Sequence, residues 1–191
     1  MSQNERPGSA RRDELLERAY AYALAHGLAE LSLRPLAAAI GSSPRVLLFL
    51  FGSKDQLIRA LLGRARADEL AALRQAREAG GVDDFAAAVR TTWGWLVDPA
   101  HRPMLVLWVQ AYARSLSEAD GPWAGFARQT VEDWLGLLAE VHGAADSGGE
   151  DLALDLALLR GALLDLLATG DAERTTAVVE RYLGLLGAAA R

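Results

Sequence analysis

Apolar residues recur at helical spacing along this chain, in blocks separated by glycine, proline and small polar residues. In the first block Leu15, Leu16, Ala19, Tyr22 and Ala23 share one face of a helix expected over Ala10 to Ala25, with His26-Gly27 as its stop. Ser32 offers an N-cap for a second helix running to Ile40. Pro35 falls in that helix's first turn, where a missing N–H costs no intrahelical bond. Gly41 breaks the chain. A short third helix is expected from Ser43, the cap, and Pro44, at the first helical position, until Gly52. It is apolar on nearly every side, since six of the seven residues from Val46 to Gly52 are apolar and the seventh is glycine. Ser53, with Gln56 three residues on, forms a capping-box pattern for a long fourth helix over Lys54 to Ala79, stopped by Gly80-Gly81.

Five more helical blocks follow: Val82 to Val97, Arg102 to Ser117, Pro122 to His142, Glu150 to Ala168 and Asp171 to Ala190. The last two are joined by a three-residue Thr-Gly-Asp corner and should lie antiparallel. No stretch alternates as a strand would, and Leu and Ala dominate the apolar set. The expected fold class is therefore all-α, with about nine helices. Its parts are a disordered arm over residues 1 to 9, a compact head over 10 to 56 and a larger body over 57 to 191.

Composition adds three limits. An apolar fraction of 51% with 24% charged residues is that of a soluble globular chain, with no apolar run long enough to span a bilayer and no export signal at its start. The absence of cysteine removes disulfides and thiolate metal sites, and His26, His101 and His142 are too scattered to suggest a metal cluster. A cytoplasmic location without cofactor or metal is the expectation. The net charge of −5 hides an asymmetry: residues 1 to 66 hold ten Arg/Lys against six Asp/Glu, whereas the remainder holds ten against nineteen. An anionic partner would dock at the basic end.

Two helices joined by a tight glycine turn form the helix-turn-helix, whose second helix enters the major groove of DNA. The stretch "RRDELLERAYAYALAHGLAELSLRPLAAAIGSSPRVLLFLFGSKDQLIRALL" resembles the DNA-binding head of the TetR-type transcriptional regulators. The features carrying the resemblance are Gly27, Ser32, Leu36-Ala37, Gly41, Ser43, Phe51, Gly52-Ser53-Lys54-Asp55 and Leu57. It implies a dimer whose heads bind a palindromic operator and whose later helices form a ligand-responsive body. It also implies that Arg34 and Lys54 contact backbone phosphates, and that Ser43, Pro44 and Arg45 begin the recognition helix. Physical chemistry agrees, because exposed N–H groups at a helix start attract phosphate and Arg can grip a guanine edge with two hydrogen bonds. Phe49 completes the expected DNA-binding set. The sequence departs from the family just before Phe51, where tyrosine and histidine usually bind phosphates; here stand Leu48, Phe49 and Leu50.

All five tryptophans lie between residues 93 and 134. Trp93, Met104, Trp108, Tyr112, Phe126, Thr130 and Trp134 fall at helical spacing on three consecutive helices and are the expected lining for an apolar small-molecule effector. The eighth helix is leucine-rich on nearly all sides, so it should be buried both against its own body and against a second copy. Leu156, Leu159, Leu163, Leu167, Val179, Tyr182 and Leu186 are the expected homodimer residues. No catalytic histidine pattern or glycine-rich phosphate loop is present, and the adjacent carboxylates Asp83-Asp84 and Glu132-Asp133 cannot face each other on a helix, so no enzyme activity is expected. The function expected is operator binding relieved by an apolar effector, with no membrane partner. The alternative is a dimeric ligand-binding or protein-interaction module whose head no longer binds DNA.

Overall fold

The computed structural model describes residues 7–28, 31–80, 85–118, 120–142 and 149–189. Among them every regular element is helical: α1 (Pro7–His26), α2 (Leu33–Ala39), α3 (Pro44–Phe51), α4 (Lys54–Gly80), α5 (Phe85–Val97), α6 (Arg102–Ser117), α7 (Phe126–His142), α8 (Gly149–Thr169) and α9 (Ala172–Ala189), with one 3-10 turn at Pro99–His101. No single described helix is long and apolar enough to cross a membrane.

Two boundaries differ from expectation for identifiable reasons. α1 begins at Pro7, which suits a first helical position, so residues 7 to 9 of the expected arm belong to the helix. The rest of that arm, with Arg6, lies outside the described residues, as do Asp83-Asp84. α7 begins at Phe126 instead of Pro122 because Gly125 adopts φ 77°, a left-handed backbone that a right-handed helix cannot contain.

The chain forms two compact units. The first comprises the residues up to Asp68 together with Pro103–Arg128, so the expected head over 10 to 56 sits within a larger unit that includes most of α6. Its first three helices pack on one another, burying Leu15, Ala19 and Ala23 of α1, Leu36 and Ala37 of α2, and Leu47 and Phe51 of α3. Leu57 and Leu61 extend this core along α4. One polar cluster, joined by an Arg64–Asp68 ion pair at 3.1 Å, reinforces it. The Arg64 Nε of α4 reaches Glu17 of α1 at 2.6 Å, while the Tyr20 hydroxyl donates to Asp68 at 3.0 Å. Burial, and then the Asp68 carboxylate, raise the Tyr20 phenol above its ordinary range. Elsewhere in this unit the Gln110 Oε1 of α6 accepts the backbone N–H of Leu28 at 3.4 Å.

The second unit comprises Glu69–Arg102 and the residues from Gln129 onward. Here α8 packs along α9, and both lie against α5. Val89, Trp93 and Leu96 of α5, Leu156, Leu159 and Leu163 of α8, and Val179 and Leu183 of α9 are buried in its core. The Trp93 indole donates to Thr176 at 2.9 Å, and Arg90 grips Glu180 with two nitrogens. The Tyr182 hydroxyl donates to buried Asp155 at 2.6 Å.

Candidate nucleic-acid interface and ligand-binding residues

α2 and α3 meet at 101°, the geometry of a helix-turn-helix. Gly41 makes the corner at φ 67°, which a side chain would strain. The backbone closes through Ile40 N to Leu36 O at 3.0 Å and Ser42 N to Ala37 O at 2.8 Å. Arg18 of α1 braces it by donating to the Ile40 carbonyl at 3.3 Å. Ser43 then caps α3, its Oγ accepting the Val46 N–H at 3.3 Å. Ser32 occupies the cap position of α2 with extended backbone, yet its side chain makes no capping bond.

With Leu47 and Phe51 anchored in the core, residues one helical face away must point outward. They are Arg45, Val46, Leu48 and Phe49, and Phe49 is 86% exposed. Leu50 is half-buried. The Phe51 ring is fixed from outside by the Arg12 guanidinium, 4.9 Å from its centroid. Arg34 at the start of α2 and Lys54 at the start of α4 are exposed. Among the described residues Arg34, Arg45 and Lys54 make no ion pair, whereas Arg11, Arg18 and Arg64 of the same unit do. The expected DNA-binding set thus comprises Arg34 at the start of α2, Lys54 at the start of α4, and Ser43, Pro44, Arg45 and Phe49 at the cap and along α3. Val46 and Leu48 share the outward face of α3. The signal for Val46 was its spacing of three from Phe49.

The seven expected effector residues divide between the units. Met104, Trp108, Tyr112 and Phe126 fall in the first, where the Trp108 and Tyr112 rings lie 5.2 Å apart. Trp93, Thr130 and Trp134 fall in the second. All but Tyr112 are buried. The Trp134 indole donates to Glu69 at 3.2 Å, and that carboxylate is itself buried. Sequence reading missed Glu69, although it continues the inward stripe of Leu62 and Ala65 along α4. Among the described residues no group of three or more His, Asp or Glu could hold a metal ion.

The expected dimer residues differ in their exposure within the single chain. Leu156, Leu159, Leu163 and Val179 are buried within their own chain, and a group already buried there offers no area to a partner. Leu167, Tyr182 and Leu186 are half-buried, and Tyr182 is engaged with Asp155. The outward stripe consists instead of Leu154, Ala157, Gly161, Leu164 and Ala168 on α8, with Val178, Gly184, Leu185 and Ala188 on α9. Leu154 and Leu185 are 53% and 61% exposed.

No protein-family model and no curated protein matches the sequence. Solved structures do. A TetR transcription regulator from Haloarcula marismortui, 18% identical, aligns over 91% of this chain and 94% of its own with a TM-score of 0.70. This chain has the fold of the TetR-type transcriptional regulators. The multidrug binding protein EbrR complexed with imidazole is similar as well, at 25% identity, over 90% of this chain and 89% of that one, with a TM-score of 0.67. EbrR complexed with proflavin aligns over 90% and 98% of the two chains at 23% identity and a TM-score of 0.66.

Proposed function

We propose that this chain is a DNA-binding transcriptional regulator, acting as a repressor that an apolar small molecule releases from its operator. The observation that carries the reading is the outward face of α3, where Arg45 stands beside exposed apolar groups, with Arg34 and Lys54 exposed and without ion pairs at the neighbouring helix starts. Cations held free of carboxylates are available to phosphate, and helix N-termini add their own attraction for it. The likeness to EbrR with its bound molecules supports a ligand-responsive body. The aromatic candidates to meet such a ligand are Trp108, Tyr112 and Phe126 within the first unit or, separately, Trp93 and Trp134 within the second.

A two-fold homodimer completes the proposal. The outward stripes of α8 and α9 form an apolar surface containing Gly161 and Gly184, small enough for close helix approach, and self-association covers it. A dimer would carry its two α3 helices to half-sites about 34 Å apart, one turn of DNA.

The test is fluorescence anisotropy of the full chain with duplexes recovered from a randomised library by repeated selection. Expected is a specific duplex whose affinity falls steeply between about 50 and 200 mM salt, since each neutralised phosphate adds close to −0.9 to the logarithmic slope. No enrichment and no binding in dilute buffer would overturn the reading. That result would favour the second one, a dimeric interaction module, for which the exposure of Phe49 and Leu48 is the specific support.

A further inference from the structure

The outward face of α3 carries one long polar side chain and three apolar ones. Arg45 lies one helical turn from both Leu48 and Phe49, and Val46 lies one turn from Phe49, so the four form a continuous surface. Leu48 is 41% exposed, Val46 38% and Phe49 86%. Exposure of this kind is costly in water, so a partner is expected to cover it. Its surroundings select which partner. The residues up to Arg66 carry a net charge of +4, ten cations against six anions, and Arg34 and Lys54 stand exposed at the neighbouring helix starts. An apolar protein surface would gain nothing from those cations, whereas a DNA groove offers apolar groups between two rows of phosphates.

Those apolar groups are the C5 methyls of thymine, which the major groove alone presents. We propose that α3 reads its operator half-site chiefly through thymine methyls packed against Phe49, with Val46 and Leu48 beside it, and that Arg45 supplies the single hydrogen-bonded readout, of guanine. The half-site chemistry is then thymine-rich, with one guanine about a helical turn of α3 away from the methyl cluster. Phe, Leu and Val cannot donate to or accept from base edges, so adenine and cytosine amino groups are not recognised by this face. The inference rests on the DNA-binding reading above.

The experiment uses the duplex selected by the full-length protein and a second duplex in which deoxyuridine replaces every thymine of the half-sites. This exchange removes the methyl groups and leaves all hydrogen-bonding edges unchanged. Expected is a loss of about fourfold in affinity for each methyl buried, the weight of one methyl group leaving water. Phe49→Ala should weaken the thymine duplex more than the uracil duplex, so that the variant discriminates between the two clearly less than the parent does. Because Phe49 is almost wholly exposed, the variant should keep the parent Tm, and circular dichroism checks this. Equal binding of both duplexes by the parent protein overturns methyl readout while leaving the DNA-binding reading intact. A Phe49→Ala variant that still discriminates as the parent does overturns the role of Phe49. If no duplex is selected at all, both readings fall together.

Discussion

Ser42 shows how a single polar atom can be stranded by a tight corner. Its Oγ is buried and has no hydrogen-bond partner. A hydroxyl so placed has lost its water without replacement, at a cost of about 1–3 kcal/mol. Ser42→Ala should therefore stabilise the chain by about 1 kcal/mol, read as a higher urea midpoint at unchanged m-value. Lowered stability would mean that the hydroxyl finds a partner. Two tyrosines make a second prediction. Burial and then a carboxylate neighbour, Asp68 for Tyr20 and Asp155 for Tyr182, raise both phenols above their ordinary value of 10.0. A raised folded-state value contributes stability that is fully present below the ordinary value and lost as pH rises toward the folded one. Unfolding midpoints should thus drop above pH 10. Replacing both tyrosines with phenylalanine should flatten that drop while costing about 1 kcal/mol per lost hydrogen bond at neutral pH. These partnerships were not legible in the sequence, because Tyr20 and Asp68 are 48 positions apart and only packing brings them together.

At the scale of the element, local chemistry was largely decisive. Ser43 and Pro44 start α3 where capping rules put them, and Gly41 makes the corner with a positive φ. Gly41→Ala should cost about 1 kcal/mol or more, seen as a lower Tm, because alanine resists that backbone region. α8 was harder to read. Its leucines cover most of the circumference, so periodicity offered two apolar stripes and no means of choosing between them. The structure turns Leu156, Leu159 and Leu163 inward and leaves Leu154 and Leu164 outside. For the proposed DNA-binding surface, the two cations Lys54 and Arg45 are assigned different work. Lys54→Ala should weaken binding to every duplex alike and reduce the salt slope by about one, whereas Arg45→Ala should relax discrimination at one base pair at a cost of about 1–3 kcal/mol. Anisotropy titrations on matched and single-mismatch duplexes separate the two effects.

For the whole molecule, the proposed homodimer is what converts two short α3 helices into one operator reader. Leu185→Glu places a charge on the exposed stripe of α9 without touching the core of its own unit. The variant should sediment as a monomer, keep its helical circular dichroism and lose most of its operator affinity, since binding through a single head forfeits the second half-site. A variant that remains dimeric would place the interface elsewhere.

Helix existence, the caps of α3 and α4, the all-α class and the basic character of the first third were determined by the sequence alone, because each depends on neighbours within about four positions or on simple composition. Which apolar stripe of α8 faces inward, that Glu69 is buried against Trp134, and that most of α6 shares a compact unit with α1 to α3 were decided only by the tertiary structure. Those outcomes depend on contacts between residues far apart in sequence, and helical periodicity specifies that a face is apolar without specifying what will cover it.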